Sequence, residues 1–555
     1  MSNSKFLPFV LLALSQGVFA QQPPTGGSQL QQIPSAPIPP KAPPKLEVAP
    51  GAVPASPTAD TVKITVNKLN VTGAKVYSEA ELVALTGFVP GSELTLSDLR
   101  AMASKITRHY NRDGYFAAQS FLPAQDVKGG AVTIEVIEGR YGKVILQNRS
   151  NLSDDVANSR LAGIDSGSLV ASGPLENRLL LLSDLPGIKV KSTLVPGASV
   201  GTSDLIVDLD PGKPVSGSID ADNAGNRYTG EYRVGATVNL NNPAGLGDVA
   251  SLRVLTSGPG LSYARASYQM PFGRATAGVA YSYLRYSLGR EFESLGAHGT
   301  AQVASVYGSY PLLRSRNTNL YAHLVFDAKT FQDKVDATSS VTDRKVKSLT
   351  TSLVGDHRDG FAGGGVTGAT VAWTTGDLEI QTPAVRSFDA VTAQTEGRYN
   401  KLALSAMRLQ AVTETISLYG AISGQVASKN LDVSEKMALG GMDGVRAYPT
   451  GEAYADQGYL MTLEARMMLP KFSQQMPGQM QLIAFVDSGT VKASKNPWTG
   501  GSDSRTLSGA GVGLNWTDPG NFSVRTYYAR KLGNEPATSA PDASGRFWIQ
   551  AVKYF

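Results

Sequence analysis

The chain has 555 residues, no cysteine, a formal net charge of +5 and only 17% charged residues. The absence of cysteine excludes disulfide scaffolds, cysteine-bound zinc and cysteine nucleophiles. So small a net charge on so long a chain gives no indication of nucleic-acid binding. The 4 histidines are scattered without an HExxH motif, so we expect no metal site and no cofactor.

The amino-terminal part contains two segments that precede any folded domain. Residues 1–20 are typical of a secretory signal peptide, in which a basic start and the apolar stretch Phe6–Leu14 lead to a small-residue cleavage site at Val18–Ala20. Residues 21–61 are expected to form a proline-rich linker. Its longest proline-free run is Thr25–Ile33, too short for a stable lone helix in water, so the sequence predicts an extended arm without a helix.

Residues 62–139 and 140–213 are predicted to form two similar small α+β units. Each has the order strand, helix, helix, strand, strand. In the first unit, Thr95 and Asp98 indicate the start of the longer helix. One face of this helix carries apolar residues at helical spacing, namely Leu99, Met102, Ala103, Ile106 and Tyr110.

Residues 214–555 change to a pattern with period two and no convincing helix. Along Tyr459–Leu469, Met461 and Leu463 share one face, whereas Thr462, Glu464 and Arg466 share the other. A soluble sandwich would also alternate, but its strands are usually shorter than these segments of about 10–15 residues. Because no run of 18 apolar residues follows the signal segment, we expect an all-β transmembrane barrel of about sixteen antiparallel strands around an aqueous channel.

The longest gap between predicted strands, about 429–457, contains the glycine-rich stretch Leu439–Pro449 with Arg446 at its tip. Loops of this length are usually functional or disordered. In the strand that follows, alternation places Asp487 opposite the apolar face of Val486. An arginine on an inward-folded loop can pair with such a carboxylate through two parallel hydrogen bonds. A solvated loop arginine is the alternative that the residues leave open.

Four motifs give the chain a family resemblance. Tyr110–Tyr115 is similar to the YxxxGY signature of a polypeptide-transport-associated (POTRA) domain, and Pro174–Asn177 resembles the matching helix of a second one. Val445–Tyr448 resembles a VRGY loop motif, and Phe485–Gly489 resembles an FxDxG strand motif. Together they make residues 62–555 resemble the TpsB-type outer-membrane transporters of two-partner secretion, the haemolysin secretion/activation family of ShlB, FhaC and HecB.

The resemblance implies where the functional residues lie. The two small units would be POTRA domains, and the long loop would be the sixth extracellular loop, folded into the pore so that Arg446 pairs with Asp487. Ala447 stands where the family has glycine, which predicts a less sharp loop tip. The supporting motif residues would be Val445, Tyr448, Phe485 and Gly489.

The resemblance also implies a function and a location. The protein would be an outer-membrane translocase and not an enzyme, with its POTRA domains in the periplasm. They would recognise a large, unfolded β-helical exoprotein, which the barrel would export without ATP. We expect a monomer in contact with outer-membrane lipid and not with nucleic acid. The alternatives are a barrel-assembly insertase of the same superfamily and a diffusion porin.

Overall fold

The computed structural model describes residues 23–38, 45–48, 62–500 and 502–555. The predicted signal peptide therefore lies outside the described residues. Within the predicted linker, helix α1 spans Gly26–Gln31 and strand β1 spans Lys45–Val48. The expectation that this arm contains no helix is wrong. The physical reason is tertiary, because α1 is enclosed by the barrel, where packing stabilises a segment that would not be helical alone.

The first small unit has two short sheets packed with two helices. Strand β3 pairs in parallel with β6, β6 pairs antiparallel with β5, and β2 pairs with β4. The predicted apolar face of α3 is buried, apart from a partly exposed Met102. The elements are β2 (Lys63–Val66), β3 (Lys68–Thr72), α2 (Glu79–Thr86), β4 (Ser92–Thr95), α3 (Leu96–Arg112), β5 (Gln119–Phe121) and β6 (Ala131–Ile137).

The second small unit has one four-stranded sheet in the order β1-β8-β9-β7, so the amino-terminal arm supplies its edge strand. Its elements are β7 (Arg140–Asn148), α4 (Asp154–Leu161), α5 (Ser172–Ser183), β8 (Ile188–Pro196) and β9 (Thr202–Pro211). Its helices bury a leucine-rich core against the sheet. Among the described residues, no helix of the chain is both long and apolar enough to cross a membrane.

The remaining chain forms a closed antiparallel barrel of sixteen strands, β10–β25, which confirms the predicted fold class. The strands are β10 (Val215–Asp222), β11 (Arg233–Asn241), β12 (Val249–Thr256), β13 (Leu261–Phe272), β14 (Ala275–Ser287), β15 (Ala297–Arg314), β16 (Thr318–Val335), β17 (Ser340–Asp359), β18 (Gly365–Ile380), β19 (Gly397–Ala411), β20 (Ile416–Ala427), β21 (Gln457–Met468), β22 (Gln479–Lys492), β23 (Ser504–Asp518), β24 (Phe522–Lys531) and β25 (Gly545–Tyr554). The prediction that this region has no helix is wrong for α6 (Pro383–Val391), an α-helix in the connection between β18 and β19. Other connections contain short 3-10 helices, such as Arg290–Leu295 and Val433–Glu435.

The barrel wall alternates between an apolar outside and a polar inside. On β10, Ile219 is exposed on the outer face while Ser218 and Asp220 are buried on the inner face. Exposed apolar side chains recur on the outside of the other strands, as expected of a lipid-facing belt. The closing seam is short, because the ladder between β25 and β10 covers Ser218–Asp222, with further backbone hydrogen bonds at Gly217 and Asn223. In contrast, β16 pairs with β17 along all 18 of its residues.

The second unit is fixed to one end of the barrel, called here the near rim; the opposite end is the far rim. Arg314, at the near end of β15, donates two hydrogen bonds of 2.8 and 2.9 Å to the carboxylate of Asp184. Asn177 donates to the carbonyl of Arg314 at 2.8 Å, and the amide of Ser153 donates to the carbonyl of Gly245 at 2.7 Å. The sequence motif around Asn177 therefore lies on α5, where it contacts the barrel.

Candidate functional site

The connection between β20 and β21, residues 428–456, starts at the far rim and folds into the barrel; we call it the inward loop. Its tip is a tight turn. The amide of Val445 donates to the carbonyl of Leu439 at 2.6 Å, and the amide of Tyr448 donates to the carbonyl of Val445 at 3.0 Å. A side chain on Gly444 would collide with the Leu439 carbonyl. The glycine thus permits the turn that carries Arg446.

Arg446 and Asp487 meet inside the barrel. The Nε and Nη2 atoms of Arg446 donate to the two carboxylate oxygens of Asp487 at 2.8 and 2.7 Å, and the backbone amide of Arg446 donates a third bond at 3.1 Å. Thr462 donates a fourth bond to Asp487 at 3.0 Å. Arg446 is 4% exposed and Asp487 is 0% exposed. The structure therefore places the two residues in a buried, bidentate pair, and the alternative of a solvated loop arginine does not apply.

The arginine has further partners that the sequence did not indicate. Glu464 on β21 accepts from Nη1 of Arg446 at 2.8 Å and also binds Arg466 at 2.8 Å. The guanidinium carbon of Arg446 lies 3.4 Å from the ring centroid of Phe485, a cation–π contact. The indole of Trp548 donates to the carbonyl of Arg446 at 2.7 Å. The inward face predicted for Glu464 was the available signal, but alternation alone does not reveal which loop residue it contacts.

The supporting motif residues pack around this pair. Val445 and Tyr448 are fully buried, and the Tyr448 hydroxyl donates to the carbonyl of Glu535 at 3.0 Å. Gly489 leaves room for Leu439, because a Cβ atom on Gly489 would lie 2.8 Å from a methyl group of that leucine. Gly489 on the strand thus leaves space for the Leu439 side chain of the inward loop.

The alanine that replaces the family glycine is also accommodated by a glycine on the wall. Ala447 is fully buried and does not have a positive φ, so its backbone carries no penalty for a side chain. Its Cβ lies 2.5 Å from the position of a Cβ atom on Gly509 of β23. Gly509 thus leaves the space that the methyl group of Ala447 occupies. The less sharp loop tip stays a prediction.

The base of the inward loop is held to the opposite part of the wall by a second set of ion pairs. Glu435, 2% exposed, contacts Lys329 of β16 at 2.6 Å and Lys401 of β19 at 2.9 Å. Asp432 pairs with Arg344 of β17 at 2.5 Å. None of these residues was singled out from the sequence, since an isolated charge in a loop or on an inward strand face carries no pairing signal.

Helix α1 lies against the base of the inward loop near the far rim. The Gln31 side-chain amide donates to the carbonyls of Val433 and Lys436 at 2.9 and 2.7 Å. The amide of Gly26 donates to Asp333 of β16 at 2.8 Å. A side chain on Gly27 would lie 3.0 Å from the Cβ atom of Ser434, so the helix packs closely on the loop. The helix and the loop together fill the outer part of the lumen.

The Tyr110–Tyr115 motif joins the two small units. Tyr110 is fully buried, its hydroxyl donates to Glu138 at 3.1 Å, and burial raises the pKa of its phenol. Gly114 has φ +93°, and its carbonyl accepts from the amide of Ser172 at 2.9 Å. The motif glycine therefore both ends α3 and forms part of the junction with the second unit. Within the described residues, no group of three or more potential ligands is placed to hold a metal ion.

Comparisons with known proteins assign the architecture to a family. The model of the haemolysin secretion/activation proteins ShlB, FhaC and HecB matches residues 201–516, and the model of the ShlB-type POTRA domain matches residues 64–139. The chain is 29% identical over 556 residues to the heme/hemopexin transporter protein HuxB of Haemophilus influenzae (strain 86-028NP), covering 98% of this chain and 97% of that protein. It is 30% identical over 473 residues to HuxB of a second Haemophilus influenzae strain (ATCC 51907 / DSM 11121 / KW20 / Rd), covering 84% of this chain and 82% of that protein.

A solved structure shares the fold. CdiB from Escherichia coli superposes with a TM-score of 0.70 at 22% identity, covering 91% of this chain and 93% of that one. The family match, the POTRA match and the sixteen-stranded barrel agree with one another. The chain therefore belongs to the haemolysin secretion/activation family and is an outer-membrane transporter of two-partner secretion, with its POTRA domains in the periplasm.

Proposed function

We propose that this transporter exports one large β-helical exoprotein, which its two POTRA domains recognise in the periplasm while the client is unfolded. The observation that carries the proposal is a closed barrel with a polar lumen that is occupied by its own loop and helix. Such a lumen suits a conduit that opens for a specific client. The protein acts as a monomeric passage and performs no chemistry on the client.

Client capture is proposed to use an exposed sheet edge of the POTRA domains. An extended peptide can add a strand to such an edge, where main-chain hydrogen bonds give affinity and alternate side chains give selectivity. The outer edge of β8 is already paired with β1 of the same chain. On the other side of the sheet, β7 pairs with β9, and its outer edge bonds to residues 167–169 at Arg140 and Tyr141. Along Val144–Asn148 that outer edge has no strand partner in the described part of the chain. The edge of β7 is therefore the better candidate for a client strand.

The direction of export is proposed to come from the folding of the client. The periplasm supplies no ATP, and once the client folds outside the cell its return through the barrel is unfavourable. Each β-helical coil that forms outside adds a small increment of free energy, because stacking neighbouring coils buries a continuous core. The sum of these increments would offset the cost of ordering an unfolded chain within the lumen.

The test is reconstitution with the exoprotein encoded beside this gene, a very large repeat-rich reading frame being expected there. The full chain should secrete that client, whereas deletion of residues 62–213 should abolish secretion and leave a barrel that inserts and conducts ions. Undiminished secretion by the deletion variant would refute POTRA recognition. Depletion of the chain should leave other outer-membrane barrels unaffected, and a general barrel defect would instead support the insertase alternative.

A further inference from the structure

A cavity of about 720 Å³ lies in the lumen between the tip of the inward loop and one part of the barrel wall. Two sides of this cavity differ in charge. The loop side and the adjoining strands contribute Asp443, Arg446, Glu464, Arg466 and Arg525. The other side is formed by strands β17–β20.

Most inward side chains on the side formed by β17–β20 are uncharged, and a group of small ones near its centre is called here the neutral wall. Toward the near rim the same side also carries Asp356, Met407 and Tyr419. Its central row runs directly from strand to strand, since Val354 pairs with Thr370, Thr370 with Ser405 and Ser405 with Ser423. Ala372 and Ala403 form part of the next inward row toward the far rim and also pair with each other. The neutral wall thus consists of Val354, Thr370, Ala372, Ala403, Ser405 and Ser423.

Such a wall suits the passage of a polypeptide of mixed sequence. A translocation path must bind its cargo well enough to admit it and weakly enough to release it. The backbone groups of β17–β20 are already used in the barrel's own ladder. Within the neutral wall, the hydroxyl groups of Thr370, Ser405 and Ser423 therefore remain to hydrogen-bond to a passing peptide. A charged wall would retain or repel client segments according to their charge, and bulky side chains would narrow the gap.

Beyond the cavity, toward the far rim, the same strands meet the base of the inward loop. Lys401 lies on β19, two residues from Ala403 of the neutral wall, and both Lys401 and Lys329 bind Glu435. An extended chain that follows the wall toward the far rim therefore meets this ion-pair cluster. Moving the loop base away from the wall requires separating Glu435 from the two lysines, Asp432 from Arg344, and Leu431 from the apolar cluster that it shares with Tyr399. It does not require separating Arg446 from Asp487.

We propose that the exported polypeptide passes as an extended chain between the loop tip and the neutral wall, and that Glu435 with Lys329 and Lys401 closes this passage at rest. The inference rests on the proposed export function, which it makes specific by assigning the client's position in the barrel. The loop tip remains docked during passage, while the loop base moves.

The position of the client is tested by crosslinking in the full-length transporter. Because the natural chain contains no cysteine, the variants Ser405→Cys and Ser423→Cys each carry a single thiol. The matched control is Ser267→Cys on the inner face of β13, away from the neutral wall. A client stalled by a folded carboxy-terminal domain should crosslink to the two wall positions at least ~10-fold more than to the control, because a chain held at the wall has a high local concentration there.

The outcomes separate the inference from the proposed function. Secretion of the unstalled client by each variant is measured in parallel. If the variants secrete but the control crosslinks as strongly as the wall positions, the assigned path is wrong while export stands. If the unsubstituted chain and all variants fail to secrete the client, the proposed function itself is wrong and the path falls with it.

The closure is tested by Glu435→Gln in planar bilayers without client. Removing one partner of a buried ion pair leaves the other charges unpaired, so we expect the open fraction of the channel to rise about 10-fold or more. The matched control is Glu414→Gln, a change of the same chemistry at an exposed near-rim turn. Equal open fractions in the two variants would overturn the closure, provided that both migrate as folded barrels in unheated gels.

Discussion

Asp487→Asn removes the charge that holds the loop tip while keeping the size of the side chain. The carboxylate accepts three hydrogen bonds from Arg446 and one from Thr462, and both members of the pair are almost completely buried. An asparagine retains one acceptor oxygen but turns a donor group toward the guanidinium. The change therefore leaves Arg446 as a buried charge whose remaining counter-ion, among the residues that the structure describes, is Glu464.

The size of the effect follows from the cost of an uncompensated buried charge. Breaking a buried ion pair by removing one partner costs about 3–5 kcal/mol. Since about 1.4 kcal/mol corresponds to a tenfold change in an equilibrium constant, the ratio of docked to undocked loop should fall roughly 100-fold or more. The remaining contact with Glu464 favours the lower end of that range. Because the wall ladder does not involve this pair, we expect the loop to undock while the barrel stays folded.

Loop docking can be measured as the labelling rate of Met442→Cys by a bulky maleimide, because Met442 is 4% exposed and the natural chain has no cysteine. When opening is fast, the labelling rate follows the open population. The matched control is Asp443→Asn, since the Asp443 side chain on the same loop tip is 76% exposed. We expect Asp487→Asn to increase the labelling rate by the factor by which it lowers the ratio of docked to undocked loop. The same variant should secrete poorly. If its labelling and secretion equal those of Asp443→Asn, the loop lock is refuted.

A charge reversal is a second test of the Arg446–Asp487 pair. Arg446→Asp combined with Asp487→Arg should restore little secretion, because the new aspartate would face Glu464, whose carboxylate lies 2.8 Å from the present guanidinium. Adding Glu464→Gln removes that repulsion and should restore part of the loss. Equal secretion with and without the third change would show that Glu464 does not act on the loop tip.

Two further predictions concern packing at the loop and at the near rim. Gly509→Ala should displace the loop tip, since overpacking a core typically costs about 1–3 kcal/mol, and Ala447→Gly in the same chain should restore the labelling rate; a failure of this rescue would mean that the two residues do not share the space. Asp184→Ala should loosen the second POTRA domain only slightly, by roughly 1 kcal/mol or less, because its ion pair with Arg314 is partly solvent-exposed. Proteolysis at the domain junction should respond no further when Arg314→Ala is added, and additive effects would argue against a direct contact.

The barrel strands could be predicted because each strand has one face in an apolar and one in a polar environment. Along Tyr459–Leu469 the alternation correctly placed Thr462 and Glu464 inside. The pairing of Arg446 with Asp487 could be expected only through the family resemblance, since nothing in local periodicity determines how a loop of this length folds back. The contact of Glu464 with Arg446 could not be predicted for the same reason, although alternation puts Glu464 on the polar face of its strand.

The helices in and beside the barrel could not be predicted because their stability is not local. Helix α1 has only six residues and two glycines, and its weak propensity favours no helix. Its buried position between Asp333 and the loop base supplies the stabilisation that its own helix propensity does not provide. Helix α6 is also short, and the strand-rich pattern around it concealed its Pro383 start. Both helices depend on surroundings that only the assembled barrel provides.

The uneven pairing around the barrel has a mechanical consequence. The cylinder resists splitting least at the seam between β25 and β10, where few residues are paired, and most where β15–β18 are joined along long ladders. A client pressed against β17–β20 would strain strands that are hydrogen-bonded to their neighbours over most of their length. Apolar client segments in transit would thereby be kept from escaping sideways into lipid, and the seam would bear little of the strain of transit.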